Sequence, residues 1–116
     1  RNELIEKTKR FGIDCWKFCF KVPKSREYNA FVNQLIRSSS SVGAIIELLK
    51  EQKDKDFINK LKIVEEEVDE SVHWLEVFEE ILSEHSDEIL KLQKEGKELL
   101  AITVASINTA KRNNLK

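Results

Sequence analysis

Three small groups of side chains in this chain could do chemistry. Glu70 and His73 have the Glu-x-x-His spacing with which carboxylate helix bundles hold paired metal ions. Cys15 and Cys19 could offer two thiolates to zinc. The run Ser38-Ser39-Ser40-Ser41 could offer a nucleophilic hydroxyl. Each group is incomplete. A di-metal centre needs a second Glu-x-x-His on another helix and two further inward carboxylates, and Glu70–His73 is the single such motif. In the phase set by Phe57 and Leu61, His73 points away from the core. The cysteines lie four apart on one helix, where a disulfide would strain the backbone, so they read as reduced, buried thiols. The serines have no turn to expose one of them, and the chain holds only two histidines that could activate it. The three glycines are isolated in helical segments and form no phosphate-binding loop. No enzyme, no cofactor and no metal site is expected.

The elements that carry these groups are long helices. The chain has 116 residues, 35% charged and 41% hydrophobic, with three glycines and one proline. That is enough chain for one helical core without disulfides or metals, and residues 1–116 read as a single domain. Helices are expected at about 2–22, 26–52, 55–84 and 87–112. The first carries Leu4, Thr8, Phe11, Cys15, Phe18 and Val22 inward, with Ile13, Trp16 and Phe20 widening the apolar face, and Pro23 ends it. Ser25 is placed to cap the second, whose Tyr28, Phe31, Leu35, Ser38, Val42, Ile45 and Leu49 keep phase through the serine run. Those small side chains would let a neighbouring helix approach closely. Asp54 or Asp56 is placed to cap the third helix, and Ser86 the fourth.

The third helix carries two stripes. Phe57, Leu61, Val64, Val68, Ser71, Leu75, Phe78 and Leu82 make one seam; Ile63, Glu67, Glu70, Trp74, Val77 and Ile81 make another. The second needs a further surface, from the same bundle or another subunit. Glu67 and Glu70 interrupt it, and a partly buried carboxylate needs a partner. Arg37, beside Ser38 and Ser41 on the second helix, is the expected one. With short connections, four such helices give an all-α, antiparallel up-down-up-down four-helix bundle.

Net charge is −1, so nothing drives the whole chain toward nucleic acid or membrane. Its distribution is uneven. Residues 1–50 hold ten Lys/Arg against five Asp/Glu, whereas residues 51–98 hold seven against sixteen. The candidate contacts for nucleic acid are Lys7, Arg10, Lys17, Lys21, Lys24 and Arg26, with Lys111 and Arg112 at the far end. The competing reading sets oppositely charged helices side by side. No stretch is long and apolar enough to suggest a membrane span or a signal peptide, so a cytoplasmic location is expected by elimination.

The ordered residues of the second and third helices also carry a likeness. Gln34-Leu-Ile-Arg37-Ser38-Ser-Ser-Ser41-Val42-Gly-Ala44, then Asp56-Phe57, Lys60-Leu61, Glu67, Glu70 and Trp74-Leu75, and Glu98-Leu99-Leu100 later, resemble the bacterial four-helix-bundle proteins that include those encoded by intervening sequences within 23S rRNA genes. The pattern departs after Ser41, where Ile45 replaces the family's Asn and Glu47 comes one place early. The resemblance implies a bundle that assembles into a ring-shaped homo-oligomer, a homopentamer. Related members act as accessory proteins of diversity-generating retroelements, binding nucleic acid and a reverse transcriptase. RNA or a nucleoprotein is therefore an expected partner beside further copies of the chain. The alternative is a protein-interaction scaffold that uses Trp74 and the helix 1 aromatics for assembly.

Overall fold

A computed structural model describes residues 2–50 and 56–114. Among them are four helices and no strand: α1 (Asn2–Cys19), α2 (Arg26–Leu49), α3 (Asp56–Ile81) and α4 (Ser86–Asn114). They form a rod of 51 × 21 × 20 Å in which α1 packs on α2, α2 on α3, α3 on α4, and α4 returns to α1. Neighbours run antiparallel. Lys21, just past α1, reaches Glu88 at the start of α4, while Gln93 early in α4 donates to Glu79 late in α3 at 2.8 Å. None of the described helices is long and apolar enough to cross a membrane.

The core follows the inward stripes. Phe11, Cys15 and Phe18 of α1 meet Leu35 and Val42 of α2, Leu61, Val64, Val68, Leu75 and Phe78 of α3, and Ile89, Leu92 and Leu99 of α4, all buried. Phe18 and Phe78 touch edge to face across the bundle diagonal, ring centres 5.7 Å apart.

Three expectations need correction. Trp16 and Phe20 do not widen the apolar face of α1: Trp16 is 49% and Phe20 61% exposed. Trp16 lies roughly a third of a turn round the helix from the Phe11–Cys15–Phe18 stripe, so it cannot share that stripe's neighbours. Secondly, α1 ends at Cys19 rather than residue 22. The N–H groups of Phe20, Lys21 and Val22 bond three residues back, to Lys17, Phe18 and Cys19, which tightens the last turn and keeps Val22 buried ahead of Pro23. Thirdly, α3 ends at Ile81, three residues early, because His85 takes a left-handed backbone (φ 66°) to turn the chain. The His85 carbonyl then accepts from Ile89 N–H at 3.0 Å, and Ser86 is the first residue of α4 rather than its cap.

Other ends lie closer to expectation. Ser25 caps α2, its hydroxyl accepting from Tyr28 N–H at 3.0 Å. Asp56 opens α3 from within its first turn, while Asp54 and the end of the second helix expected at 52 lie outside the described residues. The last helix runs two residues past 112, to Asn114.

The serine run is continuous helix and brings α1 and α2 close together. A Cβ on Gly12 would sit 3.1 Å from the Ser39 carbonyl oxygen, and one on Gly43 3.3 Å from Lys9 Cα, so two backbones meet where side chains would hold them apart.

Candidate interaction surface

The best-defined polar cluster joins α2 to α3. Arg37 projects from the outer edge of α2, one residue before the buried Ser38. Its guanidinium donates to Glu67 at 3.0 Å and also to Glu70, while its Nε donates to Gln34 at 3.3 Å. The Trp74 indole N–H donates to Glu70 at 3.1 Å, and the Trp74 ring lies 5.1 Å from that of Phe31. Just behind this cluster, the Ser38 and Ser71 hydroxyls lie 2.9 Å apart in the core, and each also faces a carbonyl of its own helix, Leu35 or Glu67. Ser41 turns back to the Arg37 carbonyl at 2.8 Å.

The electrostatics follow from this geometry. Arg37's hydrogen bond holds the Glu70 carboxyl below the ordinary carboxylate range; desolvation opposes that shift, and the Trp74 indole assists it. Much of the second stripe of α3 is thus satisfied within one chain, by Phe31 and Arg37 of α2. Ile63 and Ile81 at its two ends stay exposed, as does Leu48 on α2.

The catalytic and metal candidates are not brought together. Glu70 is occupied by Arg37 and Trp74, and His73 lies on the exposed side of α3. Cys15 and Cys19 are buried free thiols. Burial pushes both up, Cys15 further than Cys19, which rises to about 12. Neither forms the thiolate that a nucleophile or ligand requires near neutrality.

The eight cationic candidates separate into three groups by place. Lys7, Arg10, Lys17 and Lys21 follow α1 upward; Lys24 and Arg26 lie in and after the α1–α2 turn; Lys111 and Arg112 are at the opposite end of the rod. Several have anionic company. Lys7 pairs with Glu3 at 3.2 Å, Arg10 approaches Asp14 at 4.0 Å, Lys21 bridges to Glu88 at 2.6 Å, and Arg26 reaches Glu27 at 3.1 Å. Lys111 shares a groove with Glu65, Glu66 and Asp69, and Arg112 donates to Thr109. Basic α1 thus lies beside acidic residues of α4.

That α1–α4 seam also holds like charges. Glu95 is held above the ordinary carboxylate range, first by burial and then by Asp14; Lys91 pulls the other way and Glu98 adds to the rise. An acid whose folded pKa is raised opposes folding once ionised. Its penalty is present at neutral pH and fades as pH falls through the folded pKa. Glu95→Gln should therefore raise stability at pH 7 by less than about 1 kcal/mol, solvent screening keeping it small. Urea titrations at pH 7 and at successively lower pH would show that gain shrinking; a constant gain would point to a cause other than charge.

Sequence periodicity understated the Trp16–Phe20 edge, although the helical angle between Trp16 and Phe11 contained the signal. The Asp14–Glu95 encounter had none, because it depends on which helix closes the bundle.

Comparisons with known proteins agree with this architecture. A crystal structure of a protein of unknown function from the S23 ribosomal protein family of Bacteroides thetaiotaomicron superposes with a TM-score of 0.78 at 24% identity, covering 90% of this chain and 97% of that one. At that identity the likeness speaks for the fold. No functionally curated protein matches the chain. The family model described as 23S rRNA-intervening sequence protein matches residues 1–105, which takes in α1, α2, α3 and most of α4 with the Arg37–Glu67–Glu70–Trp74 cluster, and the chain belongs to that family.

Proposed function

We propose that the protein is a binding protein rather than an enzyme: a bundle that assembles with copies of itself, as a pentamer by family resemblance, and holds RNA, alone or within a nucleoprotein, on the basic end of α1. One observation carries this reading. Residues 17–26 hold Lys17, Lys21, Lys24 and Arg26 without a single Asp or Glu. Two acids from outside that stretch, Glu88 and Glu27, answer Lys21 and Arg26, leaving an excess of positive charge at the α1–α2 turn. Lys7, Arg10, Lys111 and Arg112 add less, since acids adjoin the first three and the last two sit at the other end. Assembly would present several copies of a modest patch to one strand, so that weak contacts act together.

Size-exclusion chromatography with light scattering at low salt, read at 260 and 280 nm, tests both parts. The expected result is an oligomer with excess 260 nm absorbance that high salt removes. Four phosphate contacts to a single strand would weaken affinity about 50-fold between roughly 50 and 200 mM salt. Protein-like absorbance, with no RNA binding at any salt, would overturn the RNA reading; a monomer would overturn assembly. The second reading, a scaffold without nucleic acid, draws on exposed Ile63, Ile81 and Leu48 around the α2–α3 face. It calls for an oligomer indifferent to salt.

A further inference from the structure

Trp16 on α1 and Phe20, just past its end, are large apolar side chains turned to solvent. Their rings meet edge to face, centres 4.5 Å apart. Exposed aromatics contribute little to folding, so their side of α1 invites a partner. Three cations surround them. Lys9 lies two turns before Trp16 on nearly the same side of the helix, Lys17 follows Trp16 directly, and the Lys24 ammonium is 6.0 Å from the Phe20 ring centre. Among the described residues these three form no ion pair, whereas Lys7, Lys21 and Lys50 each do.

Beside Trp16 runs an open groove between α1 and α2, of about 550 Å³. Gly12, Gly43 and Ala44 keep its floor low, and Ser40 and Lys9 give it polar edges. Its one acid, Glu47, is engaged by Lys50. Exposed aromatic rings, a slot beside them and unpaired ammonium groups within two helical turns suit a planar, polyanionic ligand. A duplex hides its base faces; a single strand offers them.

We propose that Trp16, Phe20 and the adjoining α1–α2 groove form a stacking platform for single-stranded RNA, with Lys9, Lys17 and Lys24 on the phosphates. This rests on the RNA reading above and adds what is recognised: unpaired bases. Charge and aromatics together favour this occupant over a second copy: the acids of residues 51–98 in another copy answer the three unpaired lysines alone, whereas a single strand answers the lysines with phosphates and the rings with bases.

The test uses the full chain with a labelled oligouridylate about 16 nucleotides long and an RNA duplex of equal length. The unaltered protein should bind the strand more tightly than the duplex, with quenching of tryptophan fluorescence. Trp16→Ala should weaken strand binding roughly 5- to 150-fold, the range of one lost base stack, with its salt dependence retained. Trp16→Phe should keep most of the affinity. Lys17→Gln with Lys24→Gln should instead flatten the salt dependence. Unchanged strand affinity in Trp16→Ala, or equal affinity for duplex, would overturn the platform. So would a Trp16→Ala protein that loses its oligomeric state and keeps its RNA affinity, which would assign the aromatic pair to a contact between copies. If the unaltered protein binds neither RNA, the underlying reading falls as well, a result distinct from the others.

Discussion

Phe18→Ala should lower the free energy of unfolding by about 3–5 kcal/mol. Phe18 is fully buried in the last turn of α1, and its ring lies edge-on against Phe78 across the diagonal that joins α1 to α3. Removing it loses the transfer energy of the ring, leaves a cavity between the two diagonal helices, and removes an aromatic contact worth about 1 kcal/mol. For a domain whose whole stability is on the order of 5–15 kcal/mol, that is a large share. Guanidinium titration at one fixed protein concentration would measure it, since any assembly linked to folding would make the midpoint concentration-dependent. Trp16→Ala supplies the contrast: it removes a larger ring from the surface of the same helix and should stay within roughly 0.5 kcal/mol of the starting protein. Equal losses at the two positions would contradict the rotational setting of α1 described above.

Gly96→Leu should have the second largest effect, a loss of about 2–3 kcal/mol. Gly96 is the point at which α4 lies against both α3 and α1. A Cβ there would come within 2.6 Å of Val72 Cγ2 and 3.4 Å of the Phe11 ring. Leucine is a better helix former than glycine by nearly 1 kcal/mol, so propensity alone predicts stabilisation. Steric conflict should outweigh it, since α4 must retreat from two neighbours to admit a branched side chain. Gly96→Ala should be milder, its propensity gain offsetting part of the single-methyl contact. Thermal melts of both variants at matched concentration decide the matter; a leucine variant as stable as the parent would show that the helices have room to spare.

Much of this architecture was legible in the residues. The four–three spacing of Phe57, Leu61, Val64 and Val68 marks one seam; the last three are buried and Phe57 packs against them half-buried. The phase of Leu35, Ser38, Val42 and Leu49 carried α2 through four serines that composition alone would assign to a loop. Polar interruptions were informative because a carboxylate within an apolar stripe needs a cation: Arg37 was sought for Glu67 and Glu70, and it donates to both. Two things were hidden. The helix ends depend on backbone choices, such as the tightened turn after Cys19 and the left-handed His85, that no side-chain pattern encodes. The surface of α1 was misread because Trp16 and Phe20 are as hydrophobic as core residues, and hydrophobicity says nothing of direction. The lysines of α1 posed the converse difficulty, since pairs such as Lys21–Glu88 depend on which helix closes the bundle.

The hydroxyl pair of Ser38 and Ser71 has a consequence for alignment. An all-aliphatic seam between two long helices tolerates sliding by one turn, roughly 5.4 Å, because every layer resembles the next. Here a slide by one turn would set each hydroxyl against an apolar layer and carry Arg37 away from Glu67 and Glu70 in the same movement. Both losses fall due together, so intermediate positions gain nothing. The two serines and the outer guanidinium thus act as a key cut for one position along the rod, giving up a little burial energy to make α2 and α3 commensurate in a single way.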